Sequence, residues 1–289
     1  MKVVKATPEM FEDIYSFLKR NNQVLNIKKQ NWQNLFTHRW NQESAEHGYV
    51  LLREDTIVGY IGAVFSKVTV GSSVEKLCNL TTWVVEPAVR NQSLFLVLPL
   101  MQLKDHTITN HSPAQGSAFK IFSKWGFDLL ETKTKVMPPS FRTVFHSWAL
   151  KLYTPDHQEF LPTLGPHEKQ IYKDHRDYPG IHLVFQSGEQ SCYVVGKMAQ
   201  RLKQRAFVIH YISQPSLFRS VLPKLQRYLI KSKRCLLIYC ENRLLQGANP
   251  GFAFTLKSNI QKLYRPAKAS SIQAHQIHNL YSEIFLLDL

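Results

Sequence analysis

Residues able to bind and move charged groups concentrate in two stretches of the first half of the chain. In one, the apolar run Trp83-Val84-Val85 meets Glu86-Pro87, and Arg90-Asn91-Gln92-Ser93-Leu94 follows before a strongly apolar segment. Proline ends a strand ladder because it has no N–H to donate, so the run reads as strand, turn and helix start. Such a turn aims several backbone N–H groups at one point, and the helix dipole adds positive potential there, which suits a pyrophosphate. Arg90 would add charge-assisted contacts; the competing reading is an ordinary solvated arginine. In the other stretch Thr107, Thr109, Asn110, His111 and Ser112 are polar. The His111 imidazole titrates near neutrality, which makes it the candidate proton acceptor, against a structural or merely exposed histidine at a strand end.

Metal chemistry is not indicated. Cys78, Cys192, Cys235 and Cys240 are scattered through apolar, strand-like runs without C-x-x-C spacing. That pattern reads as reduced, buried thiols rather than a disulfide frame or a zinc site. His275 and His278 stand three apart with no further ligands nearby, so no metal is expected.

The elements that must hold these residues alternate. Val3–Ala6 reads as a strand, and Thr7-Pro8 as a helix start with Pro8 at the first helical position, followed by Phe11, Ile14, Tyr15 and Leu18 on one face. A second amphipathic stretch covers about 31–40. Tyr49–Arg53 and Ile57–Ser66 form a hairpin, Lys76–Val85 a long third strand, a helix starts near Ser93, and His106–Asn110 is another strand. The order β-α-α-β-β-β-α-β-α implies an α+β fold around one mainly antiparallel sheet. The second half repeats it. Ser93–Leu100 matches Ser216–Leu225 with a one-residue gap, each after an apolar strand, and the hairpin 49–62 has a counterpart in 182–196. An internal duplication explains both offsets.

The stretch from Trp83 to Leu94 resembles the cofactor motif of the GNAT superfamily, V-x-P-x-x-R-x-x-G-x-G/A. Ala118-Phe119-Lys120-Ile121-Phe122-Ser123-Lys124-Trp125-Gly126-Phe127 resembles its closing motif, A-x-x-x-Y-x-K-x-G-F. The resemblance covers about 3–131, with a weaker echo in the second half, and the whole chain is similar to a bacterial two-lobed GNAT-like group. It implies two tandem GNAT-like acyl-CoA N-acyltransferase lobes: an acyl-CoA-binding domain at 1–137, a connecting segment at 138–180 and a degenerate, basic second lobe at 181–289. It implies acetyl-CoA or another acyl-CoA as co-substrate, with Val84 and Val85 facing the pantetheine arm and Arg90, Asn91, Gln92, Ser93 and Leu94 cradling the pyrophosphate. Ser93 and Phe95 replace the small residues of the motif; Ser93 is expected to offer its amide and hydroxyl, and Phe95 to turn inward. Phe122 replaces the tyrosine that serves many relatives as the acid, and Asn79, Thr81 and Thr82 stand where a carboxylate often serves as base.

Composition bounds the rest. At 289 residues, 44% hydrophobic and 12% aromatic, the chain is long enough for two buried cores and unlike a disordered polypeptide. Leu94–Met101, the longest apolar stretch, is far short of the roughly 20 residues that span a bilayer. Met1–Ile14 has no apolar signal-like core, so a soluble, cytoplasmic protein is expected. The net charge is +15, and from Lys197 to Lys268 fifteen basic residues face one acid, Glu241. Such a stretch attracts anions or merely solubilises. Three functions stay open: an acyltransferase acting from acyl-CoA on an amine or hydroxyl of a small-molecule or carbohydrate acceptor, one whose donor is an acidic acyl carrier protein docked on the basic lobe, and a non-catalytic GNAT-like binding module. Nucleic acid is not an expected partner, for no recognised motif accompanies the charge.

Overall fold

A computed structural model describes residues 1–24, 26–40, 46–70, 73–111, 117–140, 150–201, 203–270 and 272–289. The chain divides into two units. One comprises Met1–Leu130, Ile260–Ile272 and Tyr281–Leu289; the other comprises Glu131–Asn259 and Gln273–Leu280. Boundaries drawn along the chain at 137 and 181 do not anticipate that two C-terminal segments return to the first unit. Similarity between halves marks a repeated pattern, not where a tail docks.

In the first unit β1 (Lys2–Lys5), β2 (Gly48–Arg53), β3 (Thr56–Val70), β4 (Ser73–Val85) and β5 (His106–Asn110) lie side by side in chain order. Neighbours are antiparallel except β4 and β5, which run parallel. Leu263–Arg265 pairs antiparallel with the other edge of β5. From Ile57 to Phe65 every residue of β3 is buried, which is why it reads as one apolar run rather than an alternation. Gly48 takes φ +112, and a Cβ there would sit 1.9 Å from the Ile61 carbonyl oxygen, so only glycine fits.

Helix α1 (Phe11–Arg20) buries Phe11, Ile14, Phe17 and Leu18, the spacing of one helical face. It follows a 3-10 turn at Pro8–Met10 rather than starting at Pro8, and Thr7 makes no capping bond to the backbone. Helix α2 (Lys29–Thr37) buries Trp32, Leu35 and Phe36. Helix α3 (Leu94–Met101) places Leu96, Val97 and Leu100 against Leu51, Ile61, Ala63, Phe65 and Leu80 of the sheet. Phe122 of α4 (Ser117–Lys124) and Phe127 complete that core.

The second unit contains most of β6 (Asp128–Met137), then β7 (Lys151–Tyr153), α5 (Phe160–Thr163), α6 (Pro166–His175), β8 (Ile181–Ser187), β9 (Gln190–Arg201), β10 (Gln204–Ile212), α7 (Phe218–Lys233) and β11 (Leu237–Glu241). Its strand order is β6-β11-β10-β9-β8-β7, with β10 and β11 the parallel pair. The succession β8-β9-β10-turn-α7-β11 repeats β2-β3-β4-turn-α3-β5. Pro99 and Pro223 each stand sixth in their helix, so the duplicated helices match residue for residue from their starts. As the sequence predicts, α7 turns Val221, Leu222, Leu225 and Leu229 inward, against Phe207, Ile209 and Ile238.

Candidate functional site

The site begins where the parallel pairing of β4 and β5 stops. The strands are in register from Lys76–His106 to Asn79–Thr109; beyond that, among the described residues, β4 continues with only β3 beside it. The separation coincides with a bulge. The β3–β4 register shifts between Tyr60 and Gly62, and Thr82 takes φ +50, a conformation costing a non-glycine residue on the order of 1–3 kcal/mol. A bulge bends its strand and re-aims the residues after it. Gly62 makes room for it, since a Cβ there would lie 2.6 Å from Thr81 Cγ2. Past the bulge Thr82, Trp83, Val84 and Val85 are all partly exposed. One backbone edge of β4 is therefore left without a strand partner among the described residues.

The strand then turns into α3. The Glu86 N–H donates to Val58 O at 2.9 Å, and Pro87–Gln92 forms a 3-10 turn. Arg20 steadies the turn through an ion pair with Glu86 at 3.2 Å. Arg90 and Asn91 are exposed, Gln92 and Ser93 partly so, and Leu94 stands out from the helix start. The Ser93 N–H donates to Arg90 O at 3.2 Å, and its hydroxyl makes no capping bond. Phe95, expected to turn inward, is instead 53% exposed and lines a groove of about 330 Å³ with Met1, Val3, Leu51, Leu98, Pro99 and Gln102. The cause is helical: with Leu96, Val97 and Leu100 in the core, position 95 falls off that face.

On the other side of the fork His111 follows the last residue of β5 and is buried; Ser112 lies outside the described residues. Phe122 is a core residue, 5.8 Å from the Trp83 ring and 5.0 Å from Phe127. At the apex Asn79 meets a partner, Glu283, that the sequence reading missed. Asn79, fully buried, accepts from Thr109 Oγ1 at 3.1 Å and donates its amide to the Glu283 carboxylate. Glu283 opens the short helix Glu283–Leu286, where Ser282 is the N-cap. Asn31 and Asn34 of α2 donate to Leu287 O and Leu286 O, and Tyr281 packs on Trp40. The signal was a lone acid within Tyr281-Ser282-Glu283-Ile284-Phe285-Leu286, an apolar run that must be buried.

The second unit has the same fork in a different state. β10 and β11 pair from Ala206–Leu237 to Ile209–Cys240, and the β9–β10 register shifts across His210. Here the strand past the bulge is covered: Tyr211 and Ile212 are buried, His278 packs edge-on to Tyr211 at 5.2 Å, and the Asn279 N–H donates to His210 O. Arg243 fixes this cover. Its Nε and Nη2 reach Glu241 Oε2 at 2.9 and 2.8 Å, and Nη2 reaches Asn279 Oδ1 at 2.6 Å. Asn279 in turn donates to Glu241 Oε1 at 2.8 Å. The turn after β10 is stitched to β9 through Ser213, whose N–H reaches Tyr193 O at 2.9 Å.

The basic stretch is not one solvated face, since Lys197 and Arg243 are buried. Asp174 and His175 end α6, with His175 fully buried and its Nδ1 2.8 Å from Ile171 O. All four cysteines are buried and free. Among the described residues no helix is long and apolar enough to cross a membrane, and no group of three or more His, Cys, Asp or Glu side chains is placed to hold a metal.

No family model matches the sequence, and no curated protein matches it. Solved structures do. A GCN5-related N-acetyltransferase from Anabaena variabilis superposes with a TM-score of 0.60 at 10% identity, over 92% of this chain and 73% of that one. The chain has the fold of the GCN5-related N-acetyltransferases. Another GNAT protein, from Kribbella flavida, gives 0.60 at 11% identity over 93% and 72% of the two chains. Eis1 from Mycobacterium abscessus gives 0.52 at 11% over 93% and 74%. GNAT-fold neighbours of this kind cover both units, so the two-lobed resemblance holds for the chain and not only for residues 3–131.

Proposed function

We propose that the protein is an acyltransferase that moves an acyl group, acetyl or longer, from an acyl-CoA to an amine or hydroxyl of a small-molecule or carbohydrate acceptor. The observation that carries this reading is the unpaired, half-exposed edge of β4 past its bulge. A pantetheine arm has amides that pair with such an edge as another strand would, with Val84 and Val85 facing it. The exposed turn at Arg90–Leu94 receives the pyrophosphate, Arg90 supplying charge. Proton transfer falls to a group of the fork, for which His111, the residue after β5, is the candidate read from the sequence. Free, buried thiols fit a cytoplasmic setting. An acidic carrier protein as donor is a second reading, favoured by the exposed cations Arg201, Lys203, Arg205 and Arg234 of the second unit; binding that weakens steeply with salt would support it. The test is calorimetric titration with acetyl-CoA and longer acyl-CoAs. Saturable binding weakened by Arg90→Ala supports the reading. A folded protein that binds none of them contradicts it.

A further inference from the structure

The charge of the second unit gathers at one end of its strands. There β9 finishes, β10 and β11 begin, and α7 ends. Gln204 pairs with Arg201, Arg205 stands beside Leu236 one step before the Ala206–Leu237 rung, and the Cys235 thiol donates to Arg205 O at 3.6 Å. These contacts gather Arg201, Lys203, Arg205, Lys231, Lys233 and Arg234. All are exposed, Lys233 only partly, and none forms an ion pair with another described residue. Glu241, the one acid of the basic stretch, closes β11 at the opposite end. The covered fork lies at that opposite end too, roughly 25–30 Å away along β10, so the cations are no part of it.

The fold does not require this charge. The same end of the first unit, where β3 turns into β4 and α3 leads to β5, holds balanced charge. Lys76 pairs there with Asp105 at 2.9 Å, and Glu75 accepts from Ser270 Oγ at 2.6 Å. The helix dipole accounts for Lys231 and Lys233 in the last turn of α7, not for the hairpin. Lys203 and Arg234 even occupy left-handed backbone, at φ +63 and +50, where glycine or asparagine is the ordinary residue.

We propose that this end docks on the surface of a lipid bilayer bearing anionic headgroups, which makes the protein a peripheral membrane protein. The inference goes beyond the acyltransferase reading and does not depend on it. Long, unpaired cations spread over a hairpin, a helix end and a strand start offer a rigid partner no fixed geometry. Lipid headgroups diffuse to meet them, and each cation near such a surface adds to binding. Leu236 decides between a bilayer and an acidic protein. It is 57% exposed beside Arg205, a lone apolar side chain among charges. That is too little for the core of a protein interface, yet enough to enter the acyl boundary of a leaflet.

The experiment sediments the full chain with vesicles of phosphatidylcholine, alone or mixed with phosphatidylglycerol, at physiological salt. The expected result is binding to the mixed vesicles only. Arg201→Ser, Lys203→Asn and Arg234→Asn together should weaken it on the order of 100-fold; asparagine tolerates the left-handed positions. Lys19→Gln, Lys28→Gln and Arg53→Gln in the first unit remove the same charge and should cost less than about threefold. Leu236→Ser should weaken binding about fivefold. Without any substitution, mixed vesicles should protect the amides around Lys203 and Arg234 from hydrogen exchange. Absence of binding, equal losses in the two triple variants, or protection confined to other segments overturns the proposal. So does an unchanged affinity in Leu236→Ser, or an acidic acyl carrier protein that binds this end more tightly than the vesicles do.

Discussion

The two forks share a plan and differ in what covers them. In each, a parallel strand pair stops at a bulge and a turn leads into a helix with proline at its sixth position. In the first unit β4 beyond the bulge is half-exposed from Thr82 to Val85; in the second, Tyr211 and Ile212 are buried and His210 O is taken by the Asn279 amide. The difference teaches that a strand edge is available to a ligand only when the chain does not cover it itself. The second unit has the same geometry, and there His278 and Asn279 cover the strand past the bulge.

Acid should open the covered fork first, and this is the largest effect expected. Burial lowers His175 and His182 to about 4 and drives His278, in the covering segment, well below its ordinary value. These groups are neutral when folded and protonate near 6.5 when unfolded. Their contribution is complete above pH 6.5 and is lost as pH falls toward 4, at up to about 1.4 kcal/mol per histidine per pH unit. His38 in the first unit, lowered to about 3 by burial and by His47, extends the loss to lower pH. Urea midpoints measured between pH 7 and 4.5 should fall steeply, and His175→Asn with His182→Asn should flatten the slope.

Breaking the cover directly comes next. Arg243→Ala leaves the partly buried Glu241 without its cation and empties a buried site, and should cost about 3 kcal/mol, read as a lower unfolding midpoint. The counterpart in the first unit is Gly62→Val at the bulge. The added atoms collide with Thr81, and the expected loss is about 1–3 kcal/mol together with weaker acetyl-CoA binding by calorimetry. The smallest effect belongs to Phe95→Ser. Phe95 points away from the core into an open groove, so stability should stay within about 0.5 kcal/mol and acetyl-CoA affinity should not change.

Local features were legible in the sequence because their causes are local. Pro87 marks the end of β4, the apolar faces of α1 and α7 show in residue spacing, and His106–Asn110 is a strand with the bounds that its pattern suggests. Phe95 was misjudged because a one-residue step around a short helix decides between core and solvent. Glu283 and Arg243 were illegible for another reason. Each acts through partners brought together by tertiary folding: Asn79 lies 204 positions from Glu283, and Asn279 lies 36 from Arg243. No period or motif encodes such a meeting. The return of the chain's end to the first unit was equally hidden, although the Tyr281–Leu286 run announced that it had to be buried somewhere.

The central claim is that the first fork is an acyl-CoA site and the second is not. The most direct measurement is calorimetric titration of the wild type and of Ser93→Asp with acetyl-CoA. Aspartate is a good helix N-cap and should preserve the fold, while its charge opposes a pyrophosphate at the turn. The account predicts a single site per chain, weakened about tenfold or more by Ser93→Asp at an unchanged unfolding temperature. Binding that is absent from the folded protein, shows two sites, or ignores the substitution would contradict it.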